Sequence, residues 1–206
     1  MIRVWGRVNS LNVQKVMWTI AELGLAHERQ DVGGPFGGLD TAEYAARNPN
    51  RLIPVIDDHG TVVWESNAIV RYLAARWGRG TLWNEEPAMR AQADQWMDWQ
   101  QTTVQPVLGP LFIGFVRTPL AQRDEEALAG AARRLGDIFS VLDKWLADHP
   151  FVAGDSLTMG DIPAAAATNR YMQLPVDRPV LGNLQRWYQG MATTATFRKH
   201  VMIPLS

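Results

Sequence analysis

Apolar positions along the first eighty residues alternate between two periods. Ile2-Arg3-Val4-Trp5 is a short β-branched run that reads as a strand, and Val13, Val16, Met17, Ile20 and Ala21 follow at the spacing of one helix face. Gly24 stands where that helix stops. His27 to Val32 reads as a second strand, so the chain opens β-α-β with parallel pairing. The glycine-rich stretch Gly33 to Gly38 is a loop, without the Gly-Lys-Ser/Thr ending of a phosphate loop, and a short helix over Asp40 to Ala46 comes next. Ile53–Ile56 and Thr61–Trp64 flank Asp57-Asp58-His59-Gly60 and predict an antiparallel hairpin. Ser66 then caps a helix with Ile69, Tyr72, Leu73 and Trp77 on its apolar side, closed by Gly78.

Beyond residue 80 only the helical period survives. Pro87 suits the first turn of a helix carrying Met89, Ala93, Trp96, Met97 and Gln100, and Pro106 and Pro110 should bend or break it. A long stripe runs from Leu128 through Leu135 and Leu142 to Leu146 inside a segment from Leu120 to Asp148, and further helices are expected from Thr158 and Pro179. The pattern therefore predicts an α/β half over 1–79, a linker over 80–87 and an all-α half over 88–206.

Composition narrows the function by exclusion. At 206 residues, 47% hydrophobic and 20% charged, the chain is of globular type. A net charge of -1 with no basic run speaks against nucleic acid as a partner. The absence of cysteine removes disulfides, thiolate metal sites and cysteine nucleophiles. The four histidines fall in separate segments, so no metal site is expected. No leader-like pattern opens the chain and no segment has the apolar length of a membrane span, which predicts a cytoplasmic protein without a membrane partner.

Three constellations bear chemistry, each beside a plainer role. Pro54 can simply open a strand; a cis Ile53-Pro54 bond would instead turn the backbone of Ile53 outward to pair with an extended peptide. Ser66 can be an ordinary cap, or the hydroxyl of an anion site at a helix N-terminus, with Glu65 beside it to attract an ammonium. Ser10 and Asn12 can cap the first helix, or donate hydrogen bonds to an anion above it, a thiolate included. Thr158 and Asp161 have capping-box spacing and are expected to be structural. Trp96, Trp99 and Tyr171 read as core before they read as pocket wall.

Together the approach Asn48-Pro49-Asn50 to Pro54, the run Trp64-Glu65-Ser66-Asn67-Ala68-Ile69-Val70-Arg71-Tyr72-Leu73-Ala74, and Ser156 to Ile162 resemble the glutathione S-transferase superfamily, over essentially the whole chain. The late Asn183 to Met191 is similar to that family's closing helices. The resemblance implies a thioredoxin-like N-terminal domain that holds glutathione as cosubstrate, and a helical domain that supplies an apolar pocket. It implies that the bond before Pro54 is cis, that Ile53 pairs with the cysteinyl unit, and that Glu65 and Ser66 hold the γ-glutamyl end. Ser10 and Asn12 would then activate the thiol for attack on an apolar electrophile or a disulfide. A cytoplasmic homodimer is the expected assembly. One position departs from the family: a basic residue often stands two before the proline, where this chain has Leu52. That departure keeps a second reading in view, a non-catalytic glutathione-transferase-like module for assembly or regulation.

Overall fold

In the computed structural model, which describes Met1–Ser206, the first half is a four-stranded mixed sheet with strand order β2-β1-β3-β4. β1 (Ile2–Trp5) and β2 (His27–Gln30) are parallel and joined by α1 (Leu11–Glu22), while β3 (Val55–Asp58) and β4 (Thr61–Trp64) add antiparallel. α2 (Ala42–Arg47) precedes β3, and α3 (Ser66–Trp77) follows β4. Alternation along the strands loads both faces of the sheet. Ile2, Val4 and Ile56 point to α1 and α3, meeting Val13, Val16, Ile20, Ile69 and Leu73; Trp5 and Val55 point the other way, to Tyr44. Each such side chain, taken from water, contributes about 1.5–3 kcal/mol.

The second half is helical: α4 (Pro87–Trp99), α5 (Gln105–Phe112), α6 (Glu125–Trp145), α7 (Asp161–Gln173), α8 (Gly182–Ala192) and α9 (Ala195–His200). Its core is continuous with the first half, since Leu11 and Trp18 of α1 and Val70 and Ala74 of α3 belong to the same buried cluster as Phe139, Tyr171 and Phe197. Trp96 and Tyr171 are buried in it and Trp99 packs against it, as core residues. No helix is long and apolar enough to cross a membrane, and no cluster of His, Cys, Asp or Glu could hold a metal.

Element boundaries shift from the expected ones for local reasons. β3 begins at Val55 and not at Ile53, because the Ile53-Pro54 bond is cis and cannot continue a ladder. The hairpin turn narrows to His59 and Gly60, at φ 53 and 93, the two positive values that a tight twisted hairpin needs. Pro106 does not break the helical path. A π-helical turn over Gln100–Val104 joins α4 to α5, and places Pro106 in the first turn of α5, where a missing N–H costs nothing. A second π turn, Ile113–Arg117, ends that path. The long helix starts at Glu125, capped by Asp124, and the helices expected from Thr158 and Pro179 start at Asp161 and Gly182.

Candidate functional site

The heads of α1 and α3 and the cis bond converge on one side of the sheet. β1 runs into α1 through a tight loop: a Cβ on Gly6, at φ 153, would stand 2.5 Å from Val13 Cγ2 and 3.4 Å from Ile53 Cβ. Only glycine lets the loop before Ser10 lie this close to both α1 and Ile53. The backbone approaching Pro54 is held from below, where Tyr44 Oη and Asn48 Nδ2 both donate to the Leu52 carbonyl at 2.9 Å. Leu52 itself is 58% exposed, so no basic side chain occupies that place. Arg51, at φ 54, leaves the extended line and its guanidinium donates to the Leu39 carbonyl at 3.3 Å, in keeping with the expectation that it points elsewhere.

Ser66 is not the cap of α3 but its first residue. Glu65 occupies the cap position at φ 68 and ψ 116, a backbone conformation that costs a non-glycine residue roughly 1–3 kcal/mol. The Ser66 hydroxyl makes no capping bond; it donates to Asn12 Oδ1 at 3.2 Å and is buried, while Glu65 is exposed. Ser10 does stand at the cap of α1, yet its side chain makes no capping bond either. Asn12 Oδ1 is engaged by Ser66, which leaves its amide N–H groups for a ligand. Two helix N-termini thus present free N–H groups, two unspent hydroxyls and one amide to the same cleft, a site for an anion.

Beneath them lies a residue that sequence reasoning passed over. Lys15 is 1% exposed, and its ammonium donates to Gln100 Oε1 at 2.8 Å, Asn67 Oδ1 at 3.3 Å and Ser66 Oγ at 3.5 Å. It has no carboxylate within ion-pair distance. Burial pushes it down to about 7, with the Arg170 guanidinium adding to the shift and the Glu65 carboxylate opposing it. The sequence did carry a signal. Leu11, Lys15 and Trp18 repeat at helical spacing beside the Val13-Val16-Ile20 face, so α1 is buried on two sides with Lys15 in the middle of the second.

Thr158 and Asp161 behave as expected of a structural pair. Asp161 Oδ2 accepts from the Thr158 N–H at 2.9 Å and its hydroxyl at 3.0 Å, and Oδ1 accepts from Val152 N–H and Trp187 Nε1. The site itself is an open cleft. The largest cavity, about 420 Å³, is lined by Phe115, Ala132, Arg133 and Val176 and includes none of the residues above.

This arrangement recurs in known proteins. Residues 9–76 match the family described as glutathione S-transferase, N-terminal domain, and residues 100–194 the corresponding C-terminal domain. The chain is 41% identical over 208 aligned positions, covering 100% of both chains, to glutathione S-transferase GstB of Escherichia coli strain K12. It is similar at a TM-score of 0.96 and 42% identity to the theta-class glutathione S-transferase of Xanthomonas axonopodis pv. citri solved with glutathione bound, covering 100% of this chain and 99% of that one. A glutathione S-transferase of Pseudomonas fluorescens superposes at a TM-score of 0.84 with 28% identity, covering 99% and 98%.

Proposed function

The chain belongs to the glutathione S-transferase family, and from that membership we propose how its own residues carry out glutathione transfer. It is a glutathione transferase with glutathione as cosubstrate. Glutathione lies in the cleft with its γ-glutamyl carboxylate on Ser66 and the α3 N-terminus, its ammonium toward Glu65, and its cysteinyl backbone paired with Ile53 beside cis Pro54. The sulfur then sits above the head of α1, within reach of the Ser10 hydroxyl and the Asn12 amide. Division into a glutathione-holding half over 1–79 and a helical half over 88–206 follows the same assignment.

The chemistry asked of Ser10 and Asn12 is modest in size. A free thiol has a pKa of about 8.5 and the thiolate is the nucleophile, so lowering it by about 2 units takes roughly 2.7 kcal/mol of preference for the anion. Two donors and the positive end of a helix supply energies of that order. The thiolate lone pair forms the new carbon–sulfur bond while the leaving group departs with its electron pair, or a sulfur–sulfur bond is exchanged when the partner is a disulfide. The electrophile is expected to have an apolar body. A homodimer fits the exposure of Trp64 and Trp77, at 36% and 47%.

The observation that carries this reading is that Ser10 holds a cap position while its hydroxyl makes no cap bond. The experiment follows ultraviolet thiolate absorbance of bound glutathione against pH in the wild type, Ser10→Ala, Asn12→Ala and the double variant. The expected thiol pKa is depressed in the wild type, partly restored in each single variant and fully in the double. An unshifted wild-type thiol would defeat the assignment. A monomer at micromolar concentration by light scattering would remove the dimer.

A further inference from the structure

Three guanidinium groups crowd the loop that leads into Ser10, and none has an acidic partner. Arg170, on α7, is 8% exposed; its Nη2 donates to the Asn9 carbonyl at 3.1 Å, and its Nε is buried with no hydrogen-bond partner at all. Arg117, at the end of the second π turn, is exposed, and donates to the Ser206 carbonyl at 3.4 Å, the same oxygen that receives Asn9 Nδ2. Arg117 and Arg170 both lie over the Phe112 ring, at 5.0 and 4.3 Å from its centre. Arg7 belongs to the loop itself. Its side chain fills the space that glycine leaves at Gly33 and Gly34, where an added Cβ would stand 3.5 and 3.4 Å from it.

The seven ion pairs of the molecule include none of these three arginines. Like charges placed this close oppose one another. Burial and then the neighbouring Arg117 and Arg7 bring Arg170 down to about 10, and burial and then Arg117 lower Arg7. Positive charge held together at such cost, without a counter-ion and with a buried donor unspent, is a site shaped for an anion. Its position decides which anion. The residues assigned to glutathione, Ile53, Glu65 and Ser66, belong to the thioredoxin-like half. Arg117 and Arg170 come from the helical half, on the far side of Ser10 from that cradle.

We propose that Arg7, Arg117 and Arg170 form a carboxylate site for the second substrate, so that the electrophile this transferase prefers carries an apolar body over Phe112 and an anionic group on the arginines. The proposal rests on the glutathione assignment above and narrows its substrate class.

The test uses two glutathione adducts that differ in one group, S-(2-carboxyethyl)glutathione and its neutral twin S-(2-carbamoylethyl)glutathione, with plain glutathione as the reference, all by calorimetry. The wild type should bind the carboxylate adduct roughly tenfold or more tightly than the amide, as charge-assisted pairing in a part-buried site gives. Arg117→Gln, an exposed position where folding is secure, should bring the two adducts to within about threefold of each other and leave plain glutathione unchanged. Arg7→Gln should do the same. Equal binding of both adducts by the wild type, with glutathione bound normally, would overturn the carboxylate site alone. Loss of plain glutathione binding in Arg117→Gln would also overturn it, because the cluster would then hold the tripeptide. No binding of glutathione by the wild type would instead sink the transferase assignment on which the inference rests.

Discussion

The molecule buries one lysine and one aspartate almost completely, and the two are treated in opposite ways. Asp161 is surrounded by donors at short range from two backbone N–H groups, a hydroxyl and an indole, and every one closes a link between α7 and the segments before and beside it. Lys15 has one short bond, to Gln100, and two long ones, with no negative charge in contact. A saturated buried charge fastens the fold; one left short of partners holds a place for something that arrives later. Both are pushed toward neutrality by burial, Asp161 up to about 6 and Lys15 down to about 7. Only the lysine stands beside residues that would touch a ligand.

The sharpest way to break this contrast is to remove the aspartate. Asp161→Ala leaves several buried donors unpaired and should destabilise the chain by about 3–4 kcal/mol, lowering the melting midpoint by roughly 10 °C. Glutathione affinity of the folded protein should not change. A variant as stable as the parent would mean the network is ornamental.

Lys15→Met should show the reverse. Glutathione should bind about tenfold more weakly, because Ser66 and the carboxylate it receives lose the charge behind them. Stability should hold or rise, as it often does when a buried charge gives way to an apolar side chain of similar size. A collapse in stability with affinity preserved would make Lys15 a structural residue like Asp161.

The titration of Lys15 refines the same point. Its folded value lies below the ordinary 10.5, so between about pH 7 and 10.5 the unfolded chain carries a proton that the folded chain has released. Stability should therefore rise with pH through that window, by up to about 1.4 kcal/mol per unit, and the slope should vanish in Lys15→Met. Urea melts of both proteins across the window read it directly. An identical slope in the two would show that another group sets it.

The mildest effect belongs to Thr158→Ala. The aspartate keeps its remaining donors, so the loss should be about 1–2 kcal/mol, with no change in binding. A selective loss of glutathione affinity at full stability would move this pair from the frame to the site.

What the sequence disclosed, and what it withheld, divides along the same line. β1, α1, the hairpin and α3 were legible because apolar residues there follow a clean period, and Ile53, Pro54, Glu65 and Ser66 were legible through the residue types that such turns and helix heads require. The role of Ser66 was only half visible. It occupies a cap-like place in the sequence, but the cap position went to Glu65 and the hydroxyl went to Asn12. Lys15 stayed hidden because a lysine among helical residues reads as solvated surface, and only the second apolar face of α1 gives it away. Arg170 hid in a run of alanines on a helix buried nearly all round. The π turns left no mark, since prolines at 106 and 110 spell interruption in any local reading, and the accommodation lies in hydrogen bonds five residues apart.

That π turn over Gln100–Val104 sets the identity of the pocket wall by arithmetic. Such a turn holds one residue more than an α-helix would need for the same hydrogen-bonded stretch. Each residue of an α-helix advances the side chains by about 100° around the axis. Deleting a single residue from 100–104 would let the ladder revert to ordinary pairing and swing everything downstream by that angle. Gln100 would lose its place against Lys15, and Phe112 and Arg117 would leave the mouth of the cleft together, although not one residue of the glutathione cradle had been altered. The choice of second substrate is thus encoded in a count as well as in side chains. A relative that shares every cradle residue but lacks that one insertion would present a different face to the sulfur.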